Sequence, residues 1–197
     1  HAARLEAQGH RCYDVPMGGA SPVGSAAFIG GYLELMQQCE AAGIAPTRVY
    51  AATGTGGTLA GLVAGHRALE AGLQIVGVAV SRKDEGYEGR CAALANASLA
   101  WLGSDVRVTA DDFTVDRGYF EPGYEQPNEA ANEAIRLLAR TEGLLTDPVY
   151  TGKALAGLLD HIRTGKIRSG ETVVFWHTGG ATALFAEQAI LGNLADK

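Results

Sequence analysis

The segment Thr53-Gly54-Thr55-Gly56-Gly57-Thr58 interleaves glycines with hydroxyl side chains, between a β-prone run and a helix-compatible one. At such a junction the first helical amides have no intrahelical acceptor and the helix dipole is positive. The pattern therefore suits an anion, above all a phosphate. Glycine also lets the backbone come close to the bound group. No Gly-Lys-Ser/Thr follows, so this is not a Walker A loop. Leu59 stands where the dinucleotide fingerprint needs its last glycine. On these residues alone, a tight turn that merely closes helix against strand remains the alternative reading.

Two further stretches have the same character. His177-Thr178-Gly179-Gly180 follows the apolar run Thr172–Trp176 and precedes a helix-compatible segment, so two such turns could grip two ends of one flat ligand. His177 reads either as a site residue or as a hydrogen-bonded residue at a strand end. Asp147-Pro148-Val149-Tyr150-Thr151-Gly152-Lys153 ends an extended run, with Thr151 placed to cap the following helix. Tyr150, and Tyr124 in Pro122-Gly123-Tyr124, are each a packed aromatic or a phenol available as acid, base or polariser.

The elements that must position these residues alternate in type. Helix is expected over His1–Gln8, Pro22 to about Ala42, Thr58–Leu69, Asp84–Leu102, Glu129–Arg140, Gly152–Arg163 and Gly180–Leu191. Strand is expected over Arg11–Val15, Arg48–Ala52, Gln74–Val80, Val106–Thr109 and Thr172–His177, with Gly143–Val149 extended and Asp111–Pro127 an ordered loop. Strands alternating with helices predict an α/β fold with a mainly parallel sheet covered on both faces. Ligands then sit beyond the carboxyl ends of the strands, where all three turns fall.

Composition narrows the classes. The chain has 197 residues, 47% hydrophobic, enough for one core. A net charge of -6 without any run of Lys or Arg argues against a nucleic-acid partner and for a small molecule. No apolar stretch approaches the roughly 20 residues needed to cross a bilayer. Cys12, Cys39 and Cys91 are odd in number and lack metal-ligand spacing, which fits reduced thiols in a cytoplasmic protein. The chain starts at His1, within a helix-like segment and with no signal-peptide pattern, so an upstream part is expected.

Taken in order, Ala51 to Gly61, Leu137 to Gly143, Asp147 to Leu158 and His177 to Ala181 with Ala183-Leu184-Phe185 resemble the D-cysteine desulfhydrase and aminocyclopropane-carboxylate (ACC) deaminase family. The likeness runs from near Gly18 to about Ala186. It implies a fold type II enzyme dependent on pyridoxal 5'-phosphate (PLP), similar to the tryptophan synthase β subunit. The chain would be one partial α/β domain over 1–197: the three-layer αβα large domain with a twisted, mainly parallel sheet, truncated at its N-terminus. A homodimer, an amino-acid substrate and no membrane association are implied with it.

By the same resemblance Thr53, Gly54, Thr55, Gly56, Gly57 and Thr58 hold the PLP phosphate, Tyr124 and Tyr150 are active-site tyrosines, and Thr151 and Thr178 lie near the pyridine nitrogen. ACC deaminases typically carry Glu and Leu where Thr151 and Thr178 stand, and a neutral hydroxyl would not keep the pyridine protonated. The pattern thus resembles the desulfhydrase branch: α,β-elimination from D-cysteine to pyruvate, sulfide and ammonia. An ACC deaminase, an L-cysteate sulfo-lyase and a non-catalytic PLP- or phosphate-binding module are the alternatives; a nucleotide-binding domain is disfavoured by the missing signatures.

Two departures accompany the likeness. Glu125 follows Tyr124 where the family usually has glycine, a residue that admits positive φ. The family's Schiff-base lysine matches a segment upstream of His1. Lys153 lies in a motif that does not supply it, and Lys83, Lys166 and Lys197 are expected on surface segments. The 197-residue chain is therefore expected to be inactive alone, and to self-associate through an uncovered sheet edge or apolar face.

Overall fold

The computed structural model describes residues 1–187 and 189. Its elements in chain order are α1 (Ala2–Glu6), α2 (Pro22–Ala41), β1 (Arg48–Thr53), α3 (Gly57–Leu69), β2 (Gln74–Ala79), α4 (Tyr87–Trp101), β3 (Thr114–Asp116), α5 (Glu129–Glu142), α6 (Thr151–Arg163) and β4 (Val173–Trp176). The strands form one sheet in the order β3-β2-β1-β4. Every pairing is parallel, with Arg48 opposite both Gln74 and Val173.

Side chains alternate across the sheet, as a pleated strand requires. Val49, Ala51 and Ile75 pack with α2, α3 and α4 through Ile29, Leu59, Leu62, Cys91 and Leu99. Tyr50, Ala52, Val76 and Val78 pack on the other face with Ala134 of α5 and with Ala154, Leu155 and Leu158 of α6. The fold is thus a three-layer αβα sandwich whose central strands are buried on both faces.

Local chemistry sets several boundaries. Ser21 caps α2 by accepting from the Gly24 amide at 3.1 Å, with Pro22 at the first helical position. Asn128 caps α5 through the Ala131 amide, and Gly143 ends it with φ 68°. α2 and α3 approach closely. A Cβ on Gly61 would lie 2.3 Å from the Ser25 carbonyl oxygen, and one on Gly65 would lie 2.9 Å from Tyr32 Cβ.

Four expectations fail, each for a visible reason. Arg11–Val15 forms no strand: none of the described strands pairs with it, and Tyr13 and Val15 stay in solvent at 76% and 65% exposure. Val106–Thr109 forms none either, because the Asn96 side-chain amide bonds both the Val108 N–H and its carbonyl, as a neighbouring strand would. The sheet is extended instead by Thr114–Asp116, within the expected loop. α4 begins at Tyr87 rather than Asp84, since the Asp84 carboxylate accepts from the Gly86 amide and holds a turn there. In place of the expected helix Gly180–Leu191 there is a 3-10 turn over Ala181–Phe185, and residues 188, 190 and 191 of that range lie outside the described residues.

Candidate functional site

A cleft of about 580 Å³ opens at the carboxyl end of the sheet, a size typical of small-ligand sites. Its floor is the turn between β1 and α3, and Ser81, Tyr124, Tyr150 and Thr178 line its walls. The chain makes this turn through Gly56, which caps α3 with φ 97°, a conformation few residues other than glycine adopt. A Cβ there would also lie 2.6 Å from Cys91 Sγ. α3 has no side-chain cap, so its first amides are left for a bound group.

The cleft fits a phosphate-bearing ligand on its own geometry. A Cβ on Gly54 would project to within 3.5 Å of Tyr150 Cε1, into the space between the turn and the opposite wall. Thr53, Gly54, Thr55, Gly56, Gly57 and Thr58 all line the cleft. The 3-10 turn Met17–Gly19 closes one side so tightly that a Cβ on Gly18 would lie 2.5 Å from Thr55 Oγ1.

Facing that floor, Tyr124 and Tyr150 pair edge to face, with ring centroids 5.8 Å apart and phenol oxygens hydrogen-bonded to each other. Both phenols are partly exposed to the cleft. The bond from Tyr150, helped by partial burial, pushes the Tyr124 phenol well above its usual range. It is therefore a neutral hydroxyl across the physiological range.

Tyr150 is aimed by an aspartate that carries no expectation of its own. Asp147 is buried, and its carboxylate accepts from the amides of Val149, Tyr150 and Thr151 and from the Thr151 hydroxyl, all at 2.6–2.8 Å. Asp147 thus caps α6, correcting the assignment of that role to Thr151, which is the first residue of the helix itself. Thr151 is fully buried, bonds Asp147 and contacts the Gly179 carbonyl at 3.4 Å, and does not line the cleft. Thr178 does line it. The sequence signal for Asp147 was present: an extended run followed by a helix needs an acceptor, and aspartate supplies it through both oxygens.

Lysines and the histidine settle differently. Lys153 is fully buried and donates to the carbonyls of Gly123 at 2.6 Å and Phe120 at 3.3 Å, pinning the loop that carries Tyr124. Burial pushes its pKa down, offset by the Asp147 charge. Lys83, expected on the surface, is half-buried: its ammonium donates to Ser81 Oγ at 2.6 Å and lies 5.0 Å from the Tyr87 ring centroid. Lys166 is exposed, and Lys197 lies outside the described residues. His177 accepts from the Gly179 amide on Nδ1 and donates from Nε2 to the Leu145 carbonyl, the hydrogen-bonded strand-end reading. Among the described residues no cluster of His, Cys, Asp and Glu is arranged for a metal ion.

Ser81 was missed because no motif surrounds it; it reaches the cleft only because β2 lies beside β1. Glu125 adopts φ 52°, so the loop keeps a positive φ after Tyr124 although the residue is not glycine.

The chain is 44% identical over 185 residues to the D-cysteine desulfhydrase of Salmonella typhi, covering 94% of this chain and 55% of that one. It spans about 55% of the length of the curated relatives it matches. A solved ACC deaminase homologue superposes with a TM-score of 0.81 at 32% identity, over 96% of this chain and 57% of that one. A solved threonine deaminase from T.th. shares the fold, with a TM-score of 0.50 at 22% identity over 78% of this chain and 56% of that one. Residues 1–179 match the model of the pyridoxal-phosphate dependent enzymes, and the chain belongs to that family.

Proposed function

We propose that the protein is a PLP-dependent lyase of the D-cysteine desulfhydrase kind, and that the cleft at the carboxyl end of β1 holds the cofactor by its phosphate. The observation that carries this reading is the juxtaposition of an uncapped helix start with a hydrogen-bonded pair of phenols across one cleft. When bound, PLP supplies the electron sink that acidifies the α-proton of an amino acid.

The chain's own residues would do the rest. Amides of Gly54 to Thr58 donate to the phosphate at the α3 N-terminus. Thr178 offers a neutral hydroxyl to the ring nitrogen, while Thr151 acts one step back by ordering Asp147 and thereby Tyr150. Tyr124 and Tyr150 share a proton beside the substrate, held where a departing sulfur could take it up. The balanced reaction is D-cysteine plus water to pyruvate, sulfide and ammonia.

Lys153 is an unsuitable Schiff-base partner, since its ammonium is buried outside the cleft lining and committed to two carbonyls. Turnover thus needs a lysine other than Lys153. A homodimer in the cytoplasm belongs to the same reading; the free thiols of Cys12, Cys39 and Cys91 support the reducing compartment.

Substrate comparison on the intact protein is the test. Pyruvate release from D-cysteine well above turnover of ACC or L-cysteate is the expected result; preferential opening of ACC would assign the protein to the second branch, which the 32% identical ACC deaminase homologue favours.

A further inference from the structure

Tyr87 opens α4 and lies behind the cleft floor, outside the cleft lining. Its ring is buried at 4% exposure, and its hydroxyl donates to the Gly54 carbonyl at 3.1 Å. The same oxygen lies 2.6 Å from Thr53 Oγ1. A phenol has one proton; with that proton on the Gly54 carbonyl, Thr53 donates to the phenol. The chain of bonds therefore runs from Thr53 to Tyr87 to Gly54.

The direction of the Gly54 carbonyl has a consequence for the cleft. In a trans peptide unit the C=O and the following N–H point in opposite directions. Pulling the Gly54 carbonyl back toward Tyr87 turns the Thr55 N–H forward, toward the side on which Gly54 and Thr55 line the cleft. Crowding reinforces this: a Cβ on Gly56 would lie 3.2 Å from the Tyr87 hydroxyl, so the back of the turn has no room to relax. Lys83, with its ammonium 5.0 Å from the Tyr87 ring centroid and donating to Ser81 Oγ, leaves the Ser81 proton free to point into the cleft.

We propose that Tyr87 is a positioning residue for the cofactor's phosphate: its phenol fixes the Thr53–Gly54 segment so that the amides of the turn face the cleft. The inference rests on the phosphate reading above. It adds a residue of a different element, acting through the backbone and touching no ligand.

The test compares PLP with pyridoxal, which lacks the phosphate, on the intact protein and its Tyr87→Phe variant. The ring stays in place and only the hydroxyl is lost. PLP affinity should fall about tenfold, equivalent to about 1.4 kcal/mol and of the size expected for one hydrogen bond, while pyridoxal affinity changes less than about twofold. Tyr87→Met, a second buried apolar side chain without the hydroxyl, should reproduce the selective loss, so the test stands even if Tyr87→Phe folds poorly. Unchanged PLP affinity in Tyr87→Phe, or an equal loss for both ligands, overturns the proposal. A wild-type protein that binds pyridoxal as tightly as PLP overturns the phosphate reading itself, and the inference with it.

Discussion

Tyr124 and Tyr150 share one hydrogen bond, and that bond is the first cause of the raised Tyr124 pKa. A group whose pKa is raised on folding keeps its proton past the ordinary phenol value, and loses it only as pH climbs through the raised one. Removing the Tyr150 hydroxyl should let Tyr124 ionise nearer the ordinary value of about 10. Ultraviolet titration of Tyr150→Phe should show this, and the alkaline limb of the activity profile should move down with it. Turnover should fall about 100-fold if the pair handles the proton. Glu125 makes a second residue-scale case. Its φ of 52° is costly for a residue with a side chain, so Glu125→Gly should raise stability by up to about 1 kcal/mol in denaturant unfolding. A loss of stability would mean that its side chain makes a compensating contact.

Elements carry the site by where they end. The packing of α2 against α3 fixes the start of α3, and with it the glycine-rich turn after β1. Gly61→Ala would drive a Cβ to 2.3 Å from the Ser25 carbonyl oxygen, and overpacking of that kind costs about 1–3 kcal/mol. Thermal unfolding should register the loss, with weaker PLP binding as the helix shifts. Tyr32 lies at the same contact, fully buried, its hydroxyl 3.1 Å from His66 Nδ1. Burial, then the nearby Cys39, pushes its pKa up to about 12. Between its ordinary value and that one the unfolded chain loses a proton that the folded chain keeps, so stability falls as pH rises through this window. In Tyr32→Phe that part of the alkaline loss should disappear, visible as a shallower decline of melting temperature above about pH 10.

At the scale of the molecule, what was legible in the sequence was what depends on neighbours in the chain. β1, β2 and β4, all the long helices and the turns after β1 and β4 follow from periodicity and from glycine placement, and the family follows from the ordered motifs; the third expected turn, Tyr150–Gly152, follows no strand. What escaped depends on distant partners. Val106–Thr109 has strand composition, yet Asn96, on α4, takes its backbone bonds. Asp147 organises the Tyr150 turn through four donors at once, and Ser81 and Tyr87 meet the glycine-rich turn after β1 only through the β1–β2 pairing and the packing of α4. Thr151, which the resemblance places near the pyridine nitrogen, gives its hydroxyl to Asp147, a contact set by the fold of the Asp147–Thr151 turn and not by any pattern in the sequence.

The central claim is that this cleft, with its own backbone amides, holds the phosphate of PLP. A crystal structure of the chain grown with PLP tests it most directly. The account predicts phosphate oxygens within hydrogen-bonding distance of the amides of Gly54 to Thr58, the ring beside Tyr150 and Thr178, and no covalent link to Lys83, Lys153 or Lys166. A phosphate bound elsewhere, or a bond from the cofactor to one of those lysines, would contradict it.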